Sequence, residues 1–318
     1  MIFTVLVMSL SSCGPGKNEQ NSDGSTDKAS SVSGEIRIEG SAVLFPLMNK
    51  WKQEFEKSQP GVKIIVKSSD SDKGLRHLAE NNLQIAMVSH NQGKIIDKED
   101  FWAVSVAKDA VVPVISFDNN NLQKIVVEGV TKDKLAAVFT GKIKTWGQLL
   151  NVKSNDPIIV HKLSGSCGTS HTWAEFLNMK PDNFIGTQLY DEKSIPAVVG
   201  ANKNAIGYAS IVNVYDFATG FRKKNLYVLP VDLNSSHQAD DNELVFDKLD
   251  DIKNAIAAGK YPSPPARNLY LVCKTLPTDA ATIAFIKWVI TIGQSFCAQY
   301  GFVNIDQNEA SGYLKQLK

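Results

Sequence analysis

The chain has 318 residues, 43% of them hydrophobic and 21% charged, enough to bury the cores of two domains of ordinary size. Its 34 Lys and Arg against 33 Asp and Glu leave a formal net charge of +1. That balance excludes bulk electrostatic attraction to nucleic acid or to a polyanionic surface, so any recognition of charge must be local.

The first segment, MIFTVLVMSLSSC, is an apolar run of signal-peptide length that stops at Cys13. It is too short to cross a bilayer. Leu10-Ser11-Ser12-Cys13 resembles a bacterial lipobox, where small residues let a peptidase cut before a cysteine that carries lipid. No Lys or Arg precedes the run, a departure from the usual signal peptide. A buried N-terminal strand with an incidental cysteine is the alternative. Residues 14–34 contain one Val and are otherwise Gly, Ser, Asp, Asn, Lys and similar residues, which cannot bury a core. Such a tether would hold a folded body roughly 25 Å from its anchor. The expected organisation is a signal peptide and lipobox over 1–13, a flexible tether over 14–34, and a folded body exported to the periplasm or cell surface.

The body alternates strands and helices. GEIRIEGS reads as a strand, and LFPLMNKWKQEFEKSQP as an amphipathic helix with Leu47, Trp51 and Phe55 on one face. VKIIVKSS is a second strand, KGLRHLAEN a helix, QIAMVS a third strand and AVVPVIS a buried one. TKDKLAAVFTG is a helix with Thr131 as N-cap and Gly141 as C-cap. PIIVHKL is a strand, SHTWAEFLN and SIPAVVGAN are helices, and AIGYASI, NLYVLPVD and NLYLVCK are strands. The charged run 237–251 reads as a solvated loop, and DAATIAFIKWVITIGQSFCAQY as one long helix. Trp51, Trp146 and Trp288 read as packing residues. The alternation argues for α/β sheets flanked by helices.

Beyond Cys13 remain Cys167, Cys273 and Cys297, so at most one disulfide can form among them. Cys273 and Cys297 read as small buried apolar residues, with a bond between them as the alternative. No CxxC or HExxH motif is present, and His77 and His237 lack ligand spacing, so neither metal nor cofactor is expected.

The chemistry gathers in three strand-to-helix turns rich in Ser and Gly: EGSAVLFP (39–46), SSDSDKGL (68–75) and LSGSCGTSHTW (163–173). The first N–H groups of a helix lack intrahelical acceptors, and the macrodipole favours an oxyanion there. Ordinary N-capping explains one such turn. Three that converge would form a site in which neutral dipoles hold an anion, consistent with the near-zero net charge. The third turn also admits an enzyme reading. Cys167 precedes His171 by four residues, and a helix N-terminus lowers a thiol pKa. No third group orients His171, however, and the other two turns have no part in that chemistry; His171 reads as an exposed helix residue.

GSAVLFPLMNKW, DKGLRHLAENNLQIAMVSH, AKDAVVPVIS, LAAVFTGKIKTWGQL, SGSCGTSHTW, AVVGANKNAIGYASI and YPSPPARNLYLVCK, in this order, resemble the phosphate-binding proteins of ABC-type phosphate uptake. The resemblance runs from about Glu35 to the C-terminus. It implies a two-lobed, periplasmic-binding-protein-like α/β fold, each lobe a mixed sheet flanked by helices, with the ligand in the cleft between them. One lobe would comprise 35–112 and 262–318, the other 113–261. It implies an anion site of Ser41 with the Leu44–Phe45 backbone, Ser71, the Ser89-His90 pair, and Cys167, Gly168 and Thr169. Two family positions differ here: His90 stands where relatives place Asp or Arg, and Leu163 where many place Arg. Asp70, Asp72 and Lys162 are therefore further candidates for acceptor or charge partner. A hydrogen-bond acceptor would select protonated phosphate over sulfate. The implied function is capture of inorganic phosphate by a monomeric lipoprotein, anchored through Cys13, and delivery to an ABC permease without catalysis. Reception of sulfate or molybdate, or a signalling or adhesion role on the same fold, stay open.

Overall fold

Hydrophobic periodicity decides the elements, and the computed structural model describes them for residues 32–90, 101–165, 167–241 and 243–318. The expectations for Cys13 and for the tether up to residue 31 lie outside the described residues. The strands are β1 (Gly34–Ser41), β2 (Val62–Ser69), β3 (Ile85–Val88), β4 (Trp102–Ser116), β5 (Val130–Thr131), β6 (Ile159–Leu163), β7 (Thr187–Leu189), β8 (Ala205–Ser210), β9 (Leu226–Val228), β10 (Val231–Asp232) and β11 (Ala266–Cys273). The helices are α1 (Phe45–Ser58), α2 (Ser71–Ala79), α3 (Leu122–Glu128), α4 (Lys132–Phe139), α5 (Trp146–Leu150), α6 (Gly168–Phe176), α7 (Ile195–Gly200), α8 (Ile211–Val214), α9 (Leu249–Ala257), α10 (Ala280–Ile290) and α11 (Gln307–Gln316).

The main sheet has the order β2-β1-β3-β11-β4-β8-β6-β7, with β9 also on β4. β1 runs parallel to β2 and β3, so the carboxyl ends of these strands lie together. β11 is antiparallel to both β3 and β4. β4 changes partners along its length: Trp102 to Ala110 pairs with β11, and Val111 to Ser116 with β8 and β9. The strand thereby passes from one hydrophobic core to the other. The first core draws on residues from Ile36 to Ala107 and from Leu269 to Leu317. The second draws on Ala110 to Ala266. The architecture is the expected two-lobed α/β fold.

Several local expectations need correction. β4 extends well upstream of AVVPVIS, through a stretch that carries Lys108 and Asp109. NLYVLPVD is split at Pro230 into β9 and β10, since proline has no N–H for a ladder. The long C-terminal helix ends at Ile290 and continues as two 3₁₀ turns, Ile292–Phe296 and Ala298–Tyr300. The break brings the Gly293 carbonyl to the buried Trp51 indole, whose Nε1–H donates to it at 2.7 Å. The run 237–251 is no solvated loop, because Glu243, Phe246 and Leu249 are buried and α9 starts within it. Thr131 caps α4 as expected, accepting from the Lys134 N–H; Thr140 is the C-cap, with Gly141 one residue beyond at φ +74°. Trp51 and Trp146 are fully buried. Cys273 and Cys297 are buried and free, without a disulfide.

Candidate functional site

The parallel pairing of β1 with β2 and β3 delivers their outgoing turns to one place. Ser41 ends β1, Ser71 opens α2, and Ser89 follows β3. Ser41 Oγ donates to Ser89 Oγ at 2.8 Å, Ser89 N–H donates to Ser71 Oγ at 3.1 Å, and the Ser71 and Ser89 hydroxyls lie 3.4 Å apart. The third turn arrives from the other lobe. Cys167 is the N-cap of α6, and Gly168 presses against the first lobe so closely that a Cβ there would come within 2.4 Å of Ser89 Oγ. Only glycine allows that approach.

Around this meeting point lies a cleft of about 430 Å³. Ser41, Ser68, Ser69, Asp70, Ser71, Ser89, Ser164, Cys167, Gly168, Tyr190, Asp191 and Glu192 line it, with Ala42, Val43 and Leu163. Among the described residues no Lys or Arg lines it. Hydroxyls, the Cys167 thiol and the carboxyls of Asp70, Asp191 and Glu192 therefore face the ligand space.

The other expected residues are distributed around this cleft. Leu44 is the N-cap of α1, and its side chain is fully buried; the Phe45 side chain packs on the first core, which leaves only backbone toward the turn. Thr169 stands behind the cleft, its Oγ1 donating to Glu192 Oε2 at 2.7 Å. Asp70 caps α2 by accepting from Lys73 N–H at 2.7 Å. Lys162 does not line the cleft; its Nζ donates to the Phe184 carbonyl at 2.6 Å.

His90 is buried at 3% exposure and lies outside the cleft lining, and neither ring nitrogen has a hydrogen-bond partner among the described residues. Its ring stacks on His171 at 4.8 Å between centroids, and its Nε2 is 3.8 Å from Asp72 Oδ1. His171 Nε2 lies 3.3 Å from Asp72 Oδ2. His171 is thus not a free surface residue: it joins α6 of one lobe to α2 of the other. Burial, with the neighbouring His171 charge, holds His90 down at about 4, so it stays neutral near neutral pH. Burial raises Asp72, but the His171 hydrogen bond and the charges of His171, His90 and Arg76 outweigh it, and its pKa falls below the usual value.

Asp72 gives His171 the third group that the sequence did not show, but the thiol of the third turn is not activated. Burial, reinforced by the Glu192 carboxyl, pushes the Cys167 thiol up to about 11 instead of down. The thiol stays protonated near neutral pH, and the His171 ring is committed to Asp72 and His90.

Two groups escaped the sequence reading. Arg267 on β11 and Asp109 on β4 form a buried pair, Nε to Oδ1 at 2.6 Å and a second bond to Oδ2 at 3.1 Å. The guanidinium also donates to the Ser89 carbonyl at 2.6 Å, to Thr172 Oγ1 at 3.3 Å and to Thr169 Oγ1 at 3.2 Å. One side chain therefore ties the hinge strands to turns of both lobes. Glu192 is the other. Its Oε1 accepts from Ser210 N–H at 2.5 Å, and burial raises its pKa despite the pull of Arg267. A polar residue inside an apolar strand was the available signal for Asp109. Nothing local marks Glu192.

A cleft between two α/β lobes, walled by hydroxyls and helix N-termini, defines a binding protein, with no catalytic constellation among the described residues. The chain belongs to the PBP superfamily: the PBP superfamily domain matches residues 25–291. It is 25% identical over 316 residues to the phosphate-binding protein PstS of Pseudomonas aeruginosa, covering 91% of this chain and 89% of that one. It is 23% identical over 217 residues to PstS of Bacillus subtilis, covering 68% and 70%. Its fold is similar to that of a putative phosphate ABC transporter substrate-binding protein with bound phosphate from Clostridium perfringens, with TM-score 0.66 and 21% identity over 86% of this chain and 100% of that one. It is also similar to an ABC-type phosphate transport receptor from Vibrio cholerae, with TM-score 0.65 and 17% identity over 85% of this chain and all of that one. Each of these four is named as a binding protein or transport receptor, and none as an enzyme.

Proposed function

We propose that this chain is an extracytoplasmic receptor that captures inorganic phosphate between its lobes and delivers it to an ABC-type membrane permease. The observation that carries the reading is the meeting of the Ser41, Ser71 and Ser89 hydroxyls with the N-terminus of α6 in one cleft that, among the described residues, no Lys or Arg lines. Such a wall holds an oxyanion with neutral dipoles, as at the helix N-termini of other anion sites. The names of the relatives support phosphate as that anion. In this reading the donors are Ser41, the Leu44–Phe45 backbone, Ser71, Ser89, Cys167 and Gly168, with Thr169 orienting the loop from behind. The lobes divide at 35–112 with 262–318 and at 113–261. They close on the anion by hinge motion at the strands they share. Residues 1–13 direct export, Cys13 carries the lipid anchor, the tether runs from residue 14 to residue 31, short of the expected 34 because Val32 packs on the first core and Gly34 opens β1, and the receptor works as a monomer. It is not an enzyme.

Calorimetry tests the reading. The purified protein is stripped of anion by unfolding and refolding, then titrated with phosphate, sulfate, molybdate and arsenate. Tight phosphate binding with weak sulfate supports it. Tighter sulfate or molybdate binding reassigns the ligand, and no binding of any oxyanion overturns the transport role.

A further inference from the structure

The cleft is larger than the anion proposed for it. Inorganic phosphate has four oxygens and fills roughly 120 Å³, at water's share of about 30 Å³ for each. The cleft measures about 430 Å³. Parted lobes do not account for the difference. Gly168 of one lobe is already pressed on Ser89 of the other, the His171 ring stacks on His90, and the Arg267 guanidinium reaches Thr169 and Thr172. The floor is assembled, so the remaining space lies above it, toward the mouth.

The lining changes character along that depth. At the floor, Ser41, Ser71 and Ser89 are at most 3% exposed. Toward solvent, Ser69 and Ser164 are half-buried, while Ser68, Ala42 and Tyr190 are exposed. Tyr190 is the large side chain of this upper tier, and it is 86% exposed. Its backbone is held, because the two residues after it are anchored. Asp191 accepts from the Lys193 N–H at 3.0 Å, and Glu192 accepts from Thr169 Oγ1 and the Ser210 N–H. A single exposed aromatic on an outer face needs no explanation. An uncovered ring on a fixed base inside a ligand cleft is a surface that an organic group can cover.

The half-buried Asp70 and the exposed Asp191 narrow the choice of that group. Their charge disfavours a second anionic group in the upper tier, whereas a carboxylate accepts readily from a hydroxyl. We propose that the cleft also binds phosphate monoesters of small polyols, with the phosphoryl group on the serine floor and the carbon skeleton against Tyr190 and Ala42. The proposal rests on the anion-receptor reading above. Esterification takes one phosphate oxygen and leaves three strong acceptors for the floor. The ester oxygen leads the carbon chain toward the mouth. There the Tyr190 ring covers C–H surface, and the polyol hydroxyls donate to Asp191.

The test is calorimetry on the full chain, stripped of anion. The ligands are inorganic phosphate, glycerol 3-phosphate freed of inorganic phosphate, and 3-phosphoglycerate, in which a carboxylate replaces the terminal CH2OH. Glycerol 3-phosphate should bind within about tenfold of phosphate, and 3-phosphoglycerate about tenfold or more below glycerol 3-phosphate. Tyr190→Ala should lower the ratio of glycerol 3-phosphate affinity to phosphate affinity about fivefold, the loss of one aromatic contact. A cooperative thermal transition checks that this variant folds, and the wild-type titrations decide the ligand class without it. A wild type that binds phosphate but holds glycerol 3-phosphate more weakly than that overturns the proposal and leaves the receptor reading intact. Equal affinity for 3-phosphoglycerate and glycerol 3-phosphate overturns the choice of a polyol. An unchanged ratio in Tyr190→Ala, whether both affinities fall together or neither moves, overturns the role of Tyr190. A wild type that binds none of the three overturns the receptor reading and the proposal with it.

Discussion

Arg267 and Asp109 are two charges removed from water, and their mutual bonds are what makes that removal tolerable. Arg267→Met leaves the Asp109 carboxylate buried without its cation, at a cost of about 3–5 kcal/mol. Chemical denaturation should show the loss as a lower midpoint, with Ser89 and Thr169 released and anion affinity reduced. His90 gives the clearest pH dependence. Its folded pKa of about 4 lies below its ordinary 6.5, so the unfolded chain binds the extra proton in that window. Its contribution to stability is complete above pH 6.5 and is lost as pH falls toward about 4. His90→Phe keeps an aromatic ring on His171 and removes both unpartnered nitrogens. The urea midpoint of this variant should lose much of the wild type's decline across that window. Residue chemistry of this kind was only partly legible in the sequence. The serines of the turns could be read because capping is local, whereas Arg267 meets Asp109 across 158 positions of chain.

At the scale of elements, the strand-to-helix turn does two jobs at once: it stops a strand and starts a helix whose first N–H groups lack intrahelical acceptors. Asp70 separates the two jobs. Asp70→Ala removes the α2 cap and should destabilise by about 1 kcal/mol, read from thermal unfolding. Asp70→Asn keeps a capping oxygen, should leave stability within a few tenths of a kcal/mol, and should tighten anion binding, because a negative group leaves the cleft wall. Calorimetry on the two variants checks the split. Most elements were readable from period and caps, as Thr131 before α4 illustrates. The failures have tertiary causes. α10 stops where Gly293 must meet Trp51, and 237–251 buries Glu243, which accepts from the N–H groups of Leu233 and Asp240. A charge-rich sequence gives no hint of such internal partners.

At the scale of the whole molecule, recognition by a wall whose described residues include no cation has a signature in salt. Attraction to surface Lys and Arg weakens as the Debye length falls from about 10 Å to about 3 Å. Hydroxyl and backbone dipoles in a closed cleft are screened little. Phosphate affinity should therefore change less than about threefold across that range of ionic strength, measured with chloride as the background anion. A steep loss would place the anion at an exposed basic site instead. The two-lobed plan was legible as strand and helix alternation. The exchange of partners along β4 was not, since the register of a buried strand is set by neighbours far away in sequence.

That exchange also orders events in time. β11 inserts between β3 and β4, and α10 and α11 cover the first core after it, so the first lobe is completed by segments far downstream of β3. A nascent chain holds β1, β2 and β3 long before their central partner exists. The lobe that carries Ser41, Ser71 and Ser89 therefore cannot close until β11 has been made, and contacts of such long separation form slowly. For the exported receptor proposed above, this late closure would leave the first lobe unlocked until β11 arrives.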